Sequence, residues 1–245
     1  MVFRYSKLPS TNDEATRLVR QLRPPEYSII IAEEQTAGRG QHRNAWLSEP
    51  GANLTCSFIL YPRYNKPERA FLLNMAIALA TADCIRMLCE GSPALQPAIK
   101  WPNDILCSDL KVAGILLENI WQGQRWDACV AGVGINVRQQ YFSGIEGAAS
   151  LDSLSQHSFE PDVVLSALSQ AVKVRYRQWE RMPEEIHTAY NADLWRRGLV
   201  SDFQTEEGAV VRLQLETVDL NGAACILDAY GRRGCYPYGK IRQLR

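Results

Sequence analysis

Two glycines and two arginines in the stretch TAGRGQHRNAW, residues 36–46, could together bind an anion. Gly38 and Gly40 flank Arg39, and glycine backbone adopts conformations that other residues resist. The guanidinium groups of Arg39 and Arg43 present planar sets of N–H donors that match phosphate or carboxylate oxygens. The stretch fits an anion-binding loop and a solvated hairpin loop equally well, because short motifs also arise by chance.

Three further polar clusters interrupt apolar segments. Ser10-Thr11-Asn12 stands at a predicted helix start, where its side chains could cap the helix or bind a polar ligand group. The segment KWPND, residues 100–104, is either an Asn-Asp turn or a polar site beside a proline-stiffened strand. Lys111 opens the apolar segment LKVAGILLEN and is either a solvated edge charge or an inward lysine that needs an anionic partner. Gly114, in the same segment, would let a ligand approach the backbone.

The surrounding sequence predicts the elements that position these clusters. A strand is expected on each side of the arginine loop, because YSIIIAEE and ANLTCSFILY are rich in apolar and β-branched residues. Thr11 and Glu14 fit a capping box, and Ser108-Asp109 fits the turn of a hairpin that carries Lys111. The other predicted elements are the apolar helix PERAFLLNMAIALATADCIRMLCE, the short strand PAIKWPND, the strand RWDACVAGVGINV, and the helices EPDVVLSALSQAVKVRYRQWERM and PEEIHTAYNADLW.

The pattern changes after residue 197, where only short strands and turns follow. Asn221-Gly222 is a strong hairpin signal, and the closely spaced strands are typical of a small β-barrel. We therefore predict two domains, residues 1–197 and residues 198–245. The expected fold class is α+β, with a mixed, largely antiparallel sheet, helices on one side, and a small C-terminal β-barrel.

Composition limits the possible functions. The chain of 245 residues has 27 basic and 27 acidic side chains, so no overall field draws it to nucleic acid or an anionic membrane. The amino end lacks the apolar core of a signal peptide, and no apolar run is expected to span a bilayer. The seven cysteines form no C-x-x-C motif and the three histidines lie far apart, which favours buried thiols and disfavours zinc. We expect a cytoplasmic protein with a local anion site.

Several common nucleotide and hydrolase motifs are absent from the sequence. It contains no G-x-x-x-x-G-K-[ST] phosphate loop and no G-x-S-x-G elbow. The segment GVGINV, residues 132–137, lacks the third glycine of the dinucleotide fingerprint and continues as a strand. Any nucleotide must therefore be bound in another way.

Together the clusters resemble one family, the biotin protein ligases, also called biotin–acetyl-CoA-carboxylase ligases. The matching segments occur in the family's order and span the chain from about residue 8 to its end. They are Ser10-Thr11-Asn12, Gln35 followed by TAGRGQHRNAW, KWPND, LKVAGILLE and GVGINV.

The resemblance implies a two-step reaction. The biotin carboxylate attacks the α-phosphorus of ATP to give biotinyl-5′-AMP and pyrophosphate, and a lysine of a biotin carboxyl carrier domain then displaces AMP. Biotin and ATP are the implied substrates, with Mg²⁺ as cofactor. The arginine loop would close over the intermediate and exclude water. The family contains monomers and homodimers, so the resemblance leaves the oligomeric state open.

The resemblance also implies roles for individual residues. The implied catalytic residues are Lys111, Arg39 and Asp104, with Asp104 binding magnesium indirectly or orienting the incoming lysine. The implied biotin-binding residues are Ser10, Thr11, Asn12, Gln35, Arg39, Gly40, Gln41, Lys111, Gly114, Ile115 and Leu116. The implied nucleotide-binding residues are Arg39, Gln41, Arg43, Asn44, Trp46, Asn103, Lys111 and Asn136, with Trp46 expected to anchor the loop rather than stack on adenine.

The sequence departs from the most basic family loops. Gln41 replaces a second arginine, Arg43 stands where a later glycine would, and Asn44 follows, which leaves the phosphate partners within 41–44 open. The sequence also has no room before the first cluster for the helix-turn-helix domain of the family's repressors, so we expect the monofunctional class.

Three alternatives are retained. A lipoate–protein ligase shares the family's core fold, but KWPND and the arginine loop favour biotin. A biotin sensor without transfer activity is disfavoured because both Arg39 and Lys111 are present. A DNA-binding regulator is disfavoured by the zero net charge.

Overall fold

The computed structural model describes residues 1–41, 44–63, 66–88, 95–142, 144–155 and 157–244. A seven-stranded sheet forms the centre of the fold, in the strand order β1-β2-β3-β7-β6-β5-β4. Its strands are β1 (Val2–Leu8), β2 (Ser28–Gln35), β3 (Leu54–Leu60), β4 (Pro97–Lys100), β5 (Asp104–Cys107), β6 (Leu110–Gln122) and β7 (Arg125–Ile135).

The sheet is mixed and largely antiparallel, as predicted. β1 pairs in parallel with β2, and the other pairings among the described strands of this sheet are antiparallel. β1 itself was not predicted, because its exposed polar side chains give no continuous apolar signal. The predicted hairpin turn at Ser108-Asp109 is confirmed, and both residues have positive φ, 48° and 63°. Positive φ at both central residues is typical of a type I′ hairpin turn.

One face of the sheet is covered by the long helices. The helices of the chain are α1 (Thr11–Gln21), α2 (Ala70–Leu88), α3 (Leu151–Leu154), α4 (Pro161–Arg181) and α5 (Pro183–Ala192). The helix α2 lies in the middle of this layer and packs against α4, α5 and the sheet. Buried side chains of both the helices and the strands, including Trp179, Tyr176 and Phe58, fill the core between the layers.

The expectation that no apolar run is long enough to span a bilayer is wrong, by length and composition. The helical stretch Pro67–Leu88 is long and apolar enough to cross a membrane, but 72% of its most apolar window is buried inside the protein. The core helix of a globular protein meets the same test when neighbouring elements cover it on all sides.

The prediction of helices on one side of the sheet needs one correction, because α1 packs on the opposite face. Ile29 and Ile31 of β2 point toward α2, whereas Ile30 points toward Ala15 and Leu18 of α1. Alternate residues of a strand point to opposite faces. Strands that are apolar at consecutive positions, such as β2, are therefore covered on both faces.

The start of α1 also differs from the predicted capping box. Ser10 is the N-cap and its side chain makes no capping hydrogen bond, while Thr11 is already the first helical residue. The Thr11 amide instead donates to Gln35 Oε1, at 2.7 Å. A side chain from β2 therefore caps the helix, and the Ser10 hydroxyl is not used for capping.

A separate antiparallel sheet begins at Val200 and agrees with the predicted C-terminal β unit. Its strands are β8 (Val200–Thr205), β9 (Val210–Val218), β10 (Ala224–Leu227), β11 (Arg233–Tyr236) and β12 (Ile241–Gln243). Their order is β11-β10-β9-β8-β12, so the ladder of described strands stays open between β11 and β12 instead of closing into a barrel. The division at residue 197/198 remains a prediction.

The second sheet is held to the first unit by aromatic side chains and one tight turn. The Trp101 indole donates to the Gly222 carbonyl at 3.1 Å, and the Tyr238 ring packs edge-on against Trp101 at 6.2 Å between centroids. Gly222 has φ +89°, and a Cβ there would lie 2.2 Å from the Phe71 ring. The turn between β9 and β10 therefore requires glycine both for its backbone and for its contact.

The cysteines follow the prediction of buried thiols only in the first unit. The buried members are Cys56, Cys84, Cys107 and Cys129. Burial raises the pKa of the Cys56 and Cys129 thiols, so both stay protonated. For Cys235 the prediction is wrong, because it is exposed on an edge strand, and Cys225 beside it is partly exposed. Cys89 lies outside the described residues.

We expect Gly222→Ala to lower the free energy of unfolding by about 3 kcal/mol, from backbone strain and the clash with Phe71. Urea unfolding followed by circular dichroism measures this. The matched control is Gly208→Ala, which has a similar φ of +86° but no atom within 4 Å of its added Cβ. That variant should lose only about 1 kcal/mol. Equal losses in the two variants would contradict the proposed contact between Gly222 and Phe71.

Candidate active site

A cleft of about 350 Å³ opens between the first sheet, the start of α1, the arginine loop and the second sheet. It brings together all four polar clusters that the sequence singled out. The predicted site residues that line it are Ser10, Thr11, Asn12, Gln35, Arg39, Gly40, Gln41, Asn44, Trp46, Asn103, Asp104, Lys111, Gly114, Ile115 and Leu116. Arg43, together with His42, lies outside the described residues.

One end of the cleft is a buried polar network at the start of α1. Gln35 Oε1 accepts from the amide of Thr11 at 2.7 Å and from its hydroxyl at 3.1 Å. The Ser57 hydroxyl lies 2.8 Å from Thr11 Oγ1 and 2.6 Å from Asn12 Oδ1. Ser57 was missed by the sequence analysis, because a single serine inside the apolar strand β3 gives no motif. Hydroxyl and amide groups that are fixed by one another in this way can recognise a small polar head group.

The floor of the cleft is made by glycines on the neighbouring strands β6 and β7. A Cβ on Gly132 would lie 2.3 Å from Asn12 Oδ1, and one on Gly134 would lie 2.4 Å from the Trp46 indole. A Cβ on Gly114 would lie 3.1 Å from the same indole. The Trp46 ring therefore packs closely against bare backbone, which supports the expected anchoring role of this residue.

The arginine loop forms a small hairpin of its own at the mouth of the cleft. Arg39 and Ala45 form an antiparallel bridge. The amide of Gly40 donates to the carbonyl of Asn44 at 2.7 Å, and the amide of Trp46 donates to that of Gly38 at 2.9 Å. These bonds tie the loop to the tryptophan that sits on the glycine floor.

Two carboxylates hold Arg39 in this arrangement. Its Nη2 donates to Asp13 Oδ1 at 2.5 Å and to Glu118 Oε2 at 3.0 Å. The Arg39 side chain is 44% exposed, so these ion pairs are screened by water and each is weak on its own. An anionic ligand can therefore compete for the guanidinium.

Lys111 points into the cleft, where it finds the anionic partner that an inward lysine needs. Its Nζ lies 2.6 Å from Asp104 Oδ1, and the two side chains are 25% and 22% exposed. The same ammonium lies 5.6 Å from the centroid of the Trp46 ring. The cleft thus contains a cation, backed by a carboxylate, beside the apolar floor.

Two of the predicted asparagines, Asn103 and Asn136, hold backbone. The Asn103 side chain donates to the Ile115 carbonyl, and the Ile115 amide donates to the Asn103 carbonyl at 3.2 Å. Asn136 does not line the cleft; its amide donates to the carbonyls of Lys111 and Ala149 at 3.4 and 3.1 Å. A nucleotide contact by Asn136 stays a prediction, and in this structure it steadies the strand that carries Lys111.

The second sheet adds polar side chains to the cleft that the sequence analysis missed. Lys240 pairs with Glu206 at 2.7 Å, and Arg242 donates to Gln204 at 2.9 Å. Burial, with the negative charge of Asp104, raises the pKa of Tyr238 to about 12. Lys240 directly precedes β12 and Arg242 lies within it, and only the docking of the second sheet brings these side chains to the cleft.

The described residues do not form a ready-made metal site. They contain no group of three or more His, Cys, Asp or Glu side chains placed to hold an ion. The acidic side chains that line the cleft, Asp104 and Glu206, are each paired with a lysine. Magnesium is usually held by one or two carboxylates together with substrate phosphates, and Asp104 and Glu206 are the carboxylates that line this cleft.

Comparison with known proteins assigns the fold to one family. The model of the biotin/lipoate A/B protein ligase family matches residues 5–136. A biotin–[acetyl-CoA-carboxylase] ligase of Paracoccus denitrificans is 33% identical, with 93% of this chain and 95% of that protein covered. One of Mycobacterium tuberculosis is 30% identical, with 89% and 79% covered. The structure of the Aquifex aeolicus biotin protein ligase in complex with biotin and ATP shares the fold, with a TM-score of 0.82, 22% identity, and 100% and 98% coverage.

We expect Gly134→Ala to displace the Trp46 ring and loosen the loop hairpin. Hydrogen exchange at the loop amides, residues 36–46, should then be about tenfold faster or more, because each opening costs less free energy. Exchange measured by mass spectrometry reports this while circular dichroism checks the fold. The control is Gly234→Ala, where the nearest atom to the added Cβ lies 3.9 Å away and loop exchange should be unchanged. Unchanged exchange in the Gly134→Ala protein would mean that Trp46 does not anchor the loop.

Proposed function

This chain belongs to the biotin/lipoate A/B protein ligase family, and we propose that it is an ATP-dependent biotin protein ligase that acts through the cleft described above. It joins biotin to ATP to form biotinyl-5′-AMP and then transfers biotin to a lysine of a biotin carboxyl carrier domain of acetyl-CoA carboxylase. Relatives at 33% and 30% identity that bear the name biotin–[acetyl-CoA-carboxylase] ligase support this reading.

One observation carries the proposed chemistry. Lys111, paired with Asp104 at 2.6 Å, and Arg39 both point into a single cleft whose other end is the polar network of Thr11. Biotin has a polar ureido ring at one end and a carboxylate at the other, joined by an apolar chain. A cleft with a polar end, an apolar glycine floor and cations at its mouth matches these three parts in order.

In the first step a biotin carboxylate oxygen attacks the α-phosphorus of ATP and pyrophosphate leaves. Negative charge builds up on the phosphoryl oxygens during this attack. Lys111 and Arg39 stabilise that charge, since fixed donors aimed at a developing charge lower the barrier without any reorganisation. The Asp104 carboxylate orients the Lys111 ammonium toward the carboxylate and α-phosphate oxygens.

The polar end of the cleft favours biotin over lipoate as the acyl substrate. The side chain of Gln35 offers its Nε2 group, which has no hydrogen-bond partner among the described residues. A ureido ring has both a carbonyl and N–H groups, and can satisfy such donors and acceptors. The apolar dithiolane ring of lipoate would leave them unpaired, which costs affinity.

We infer that Mg²⁺ takes part as the counter-ion of ATP. Because Asp104 and Glu206 are both engaged by lysines, the described residues do not provide a set of ligands for the free ion. The basic side chains of the second sheet, Lys240 and Arg242, are suited to the outer phosphates of the nucleotide. No step of the reaction is assigned to a protein-bound metal.

In the second step the carrier lysine attacks the acyl carbonyl of biotinyl-5′-AMP and AMP leaves. The arginine loop must admit ligands and then shield the anhydride from water. The Asp104 carboxylate is suited to orient the incoming amine. We further propose a cytoplasmic location and the absence of nucleic-acid and membrane partners, with the protein acting as a monomer or homodimer.

The direct test uses the purified chain with ATP, Mg²⁺, labelled biotin and an isolated carrier domain. Covalent label on the carrier lysine is the expected result. A parallel reaction with labelled lipoate tests the runner-up activity. Adenylate formation without transfer would instead identify a sensor, and label from lipoate alone would replace the proposal.

We expect Lys111→Ala to fold normally and to form biotinyl-5′-AMP about 10²–10³ times more slowly, because a donor to the developing charge is lost. Pyrophosphate release before carrier is added measures the first step alone. Lys173→Ala, a change on the exposed side of α4, is the control and should keep the wild-type rate. A rate for Lys111→Ala within a few-fold of wild type would remove Lys111 from the mechanism.

A further inference from the structure

Glu118 is the last residue of the segment LKVAGILLE, and the resemblance implies no role for it. It lies on β6 and does not line the cleft. Its Oε2 atom accepts from Asn12 Nδ2 at 2.8 Å and from Arg39 Nη2 at 3.0 Å. One carboxylate oxygen therefore joins the polar end of the cleft to the arginine loop.

The contact with Arg39 leaves part of the guanidinium available. Nη2 makes both bonds, to Asp13 and to Glu118, while Nε and Nη1 have no hydrogen-bond partner among the described residues. A guanidinium held at one corner is fixed in position and still presents donors to an anion. The Glu118 side chain is 33% exposed and that of Asp13 58%, so the Glu118 contact is the less screened of the two.

The contact with Asn12 fixes the orientation of its amide. Nδ2 donates to Glu118 and to the carbonyl of Leu116, so Oδ1 is turned toward the hydroxyl of Ser57. The alternative orientation would set the amide oxygen against two acceptors. Glu118 and the Leu116 carbonyl therefore determine together which atom of Asn12 faces the network that contacts Thr11.

We propose that Glu118 is a positioning residue that aims Arg39 at the carboxylate and phosphate of the bound intermediate while it fixes Asn12 beside the head group. This inference rests on the proposed function. Glu118 does not touch the ligand and acts through Arg39 and Asn12. Its carboxylate thus makes the position of the loop depend on the same strand that carries Lys111.

The test measures release of labelled biotinyl-5′-AMP from the complete chain, without carrier. Glu118→Gln keeps the shape but removes the charge, and we expect release to be about tenfold faster, as for loss of a charge-assisted bond. In the Arg39→Ala background the same change should alter release less than about twofold, because the coupled partner is already gone. A residue with a merely structural role would act equally in both backgrounds.

Two matched variants sharpen the result. Asp13 also contacts Arg39 but not Asn12, so Asp13→Asn should speed release of the adenylate and should lower the affinity for free biotin less than Glu118→Ala does. Glu118→Ala should speed release of the adenylate and also lower the affinity for biotin, because it removes one of the two acceptors that hold the Asn12 amide. Glu160→Gln removes only an exposed partner of Arg138 and should change neither quantity.

The outcomes separate this inference from the proposed function. If the wild-type protein forms biotinyl-5′-AMP but Glu118→Gln releases it within twofold of the wild-type rate, the positioning role is wrong. Equal acceleration with and without Arg39 would also overturn it. If the wild-type protein forms no adenylate, the proposed function fails and this inference falls with it.

A second, independent observation concerns two thiols at the far edge of the second sheet. Cys225 on β10 stands directly opposite Cys235 on β11, and their sulfur atoms lie 2.8 Å apart. Cys235 is exposed, whereas burial raises the pKa of the Cys225 thiol to about 11. The exposed sulfur is therefore the more accessible nucleophile of the pair.

We infer that Cys225 and Cys235 form a site for reversible thiol–disulfide exchange with a small-molecule disulfide. The Cys235 thiolate attacks one sulfur of that disulfide and releases one thiolate, leaving a mixed disulfide on the protein. Cys225 then gives up its proton and attacks Cys235, which expels the second thiolate. The small disulfide is reduced to two thiols, and the protein gains one bond between β10 and β11.

Incubation of the whole chain with oxidised glutathione tests this site by intact mass. The expected product has lost two hydrogens, carries no glutathione, and melts about 5 °C higher than the reduced protein, because the bond closes a short loop. Cys225→Ser should stop at one glutathione on Cys235, whereas Cys235→Ser should react far more slowly. A stable glutathione adduct on the unsubstituted chain, or no reaction, would overturn the inference.

Discussion

The absence of side chains at three positions of the first sheet is the constraint on which the cleft depends. Gly114, Gly132 and Gly134 leave space that Asn12 and the Trp46 ring fill, and a Cβ at Gly132 or Gly134 would lie within 2.4 Å of them. Distances as short as these exclude any residue larger than glycine at Gly132 and Gly134. The start of α1 and the end of the arginine loop can therefore reach the same stretch of bare backbone, and the cleft forms between them.

Charge is balanced locally at three cations of this cleft. Each of these cations has a carboxylate oxygen within 3.0 Å. Lys111 pairs with Asp104, Arg39 pairs with Asp13 and Glu118, and Lys240 pairs with Glu206. The chain as a whole is neutral. An anionic ligand must therefore compete with internal carboxylates, which favours ligands that offer several oxygens in fixed positions over simple ions. Since these pairs are partly exposed, their strength also falls with added salt.

The second sheet completes the cleft from a distance in sequence. Its attachment depends on the bond from Trp101 to Gly222 and on the Tyr238 ring between the two units. Trp101 belongs to the segment that also carries Asn103 and Asp104, so the residues that dock the sheet and those that face the ligand are neighbours in the chain. Movement of the second sheet would therefore displace the segment that carries Asp104.

The sequence by itself determined the mixed sheet, the long helices, the hairpin at Ser108-Asp109 and the four polar clusters. Each of these rests on local patterns of apolar spacing, turn residues and charge, and the family resemblance added their order. Local patterns do not say which face of a sheet a helix covers, so the position of α1 came only from the structure. The edge strand β1 was missed because exposed polar residues interrupt its apolar ones, so it gives no continuous apolar signal.

Within the site, tertiary structure decided every relation between side chains that are far apart in the chain. Whether Lys111 points inward depends on the position of Asp104 across the hairpin, and the ties of Glu118 to Asn12 and Arg39 span 106 and 79 residues. Lys240 and Arg242 reach the cleft only because the second sheet docks there. Residue types and spacing specify which groups are available for chemistry. The distances between those groups are set by long-range packing, and no local pattern in a single sequence encodes that packing.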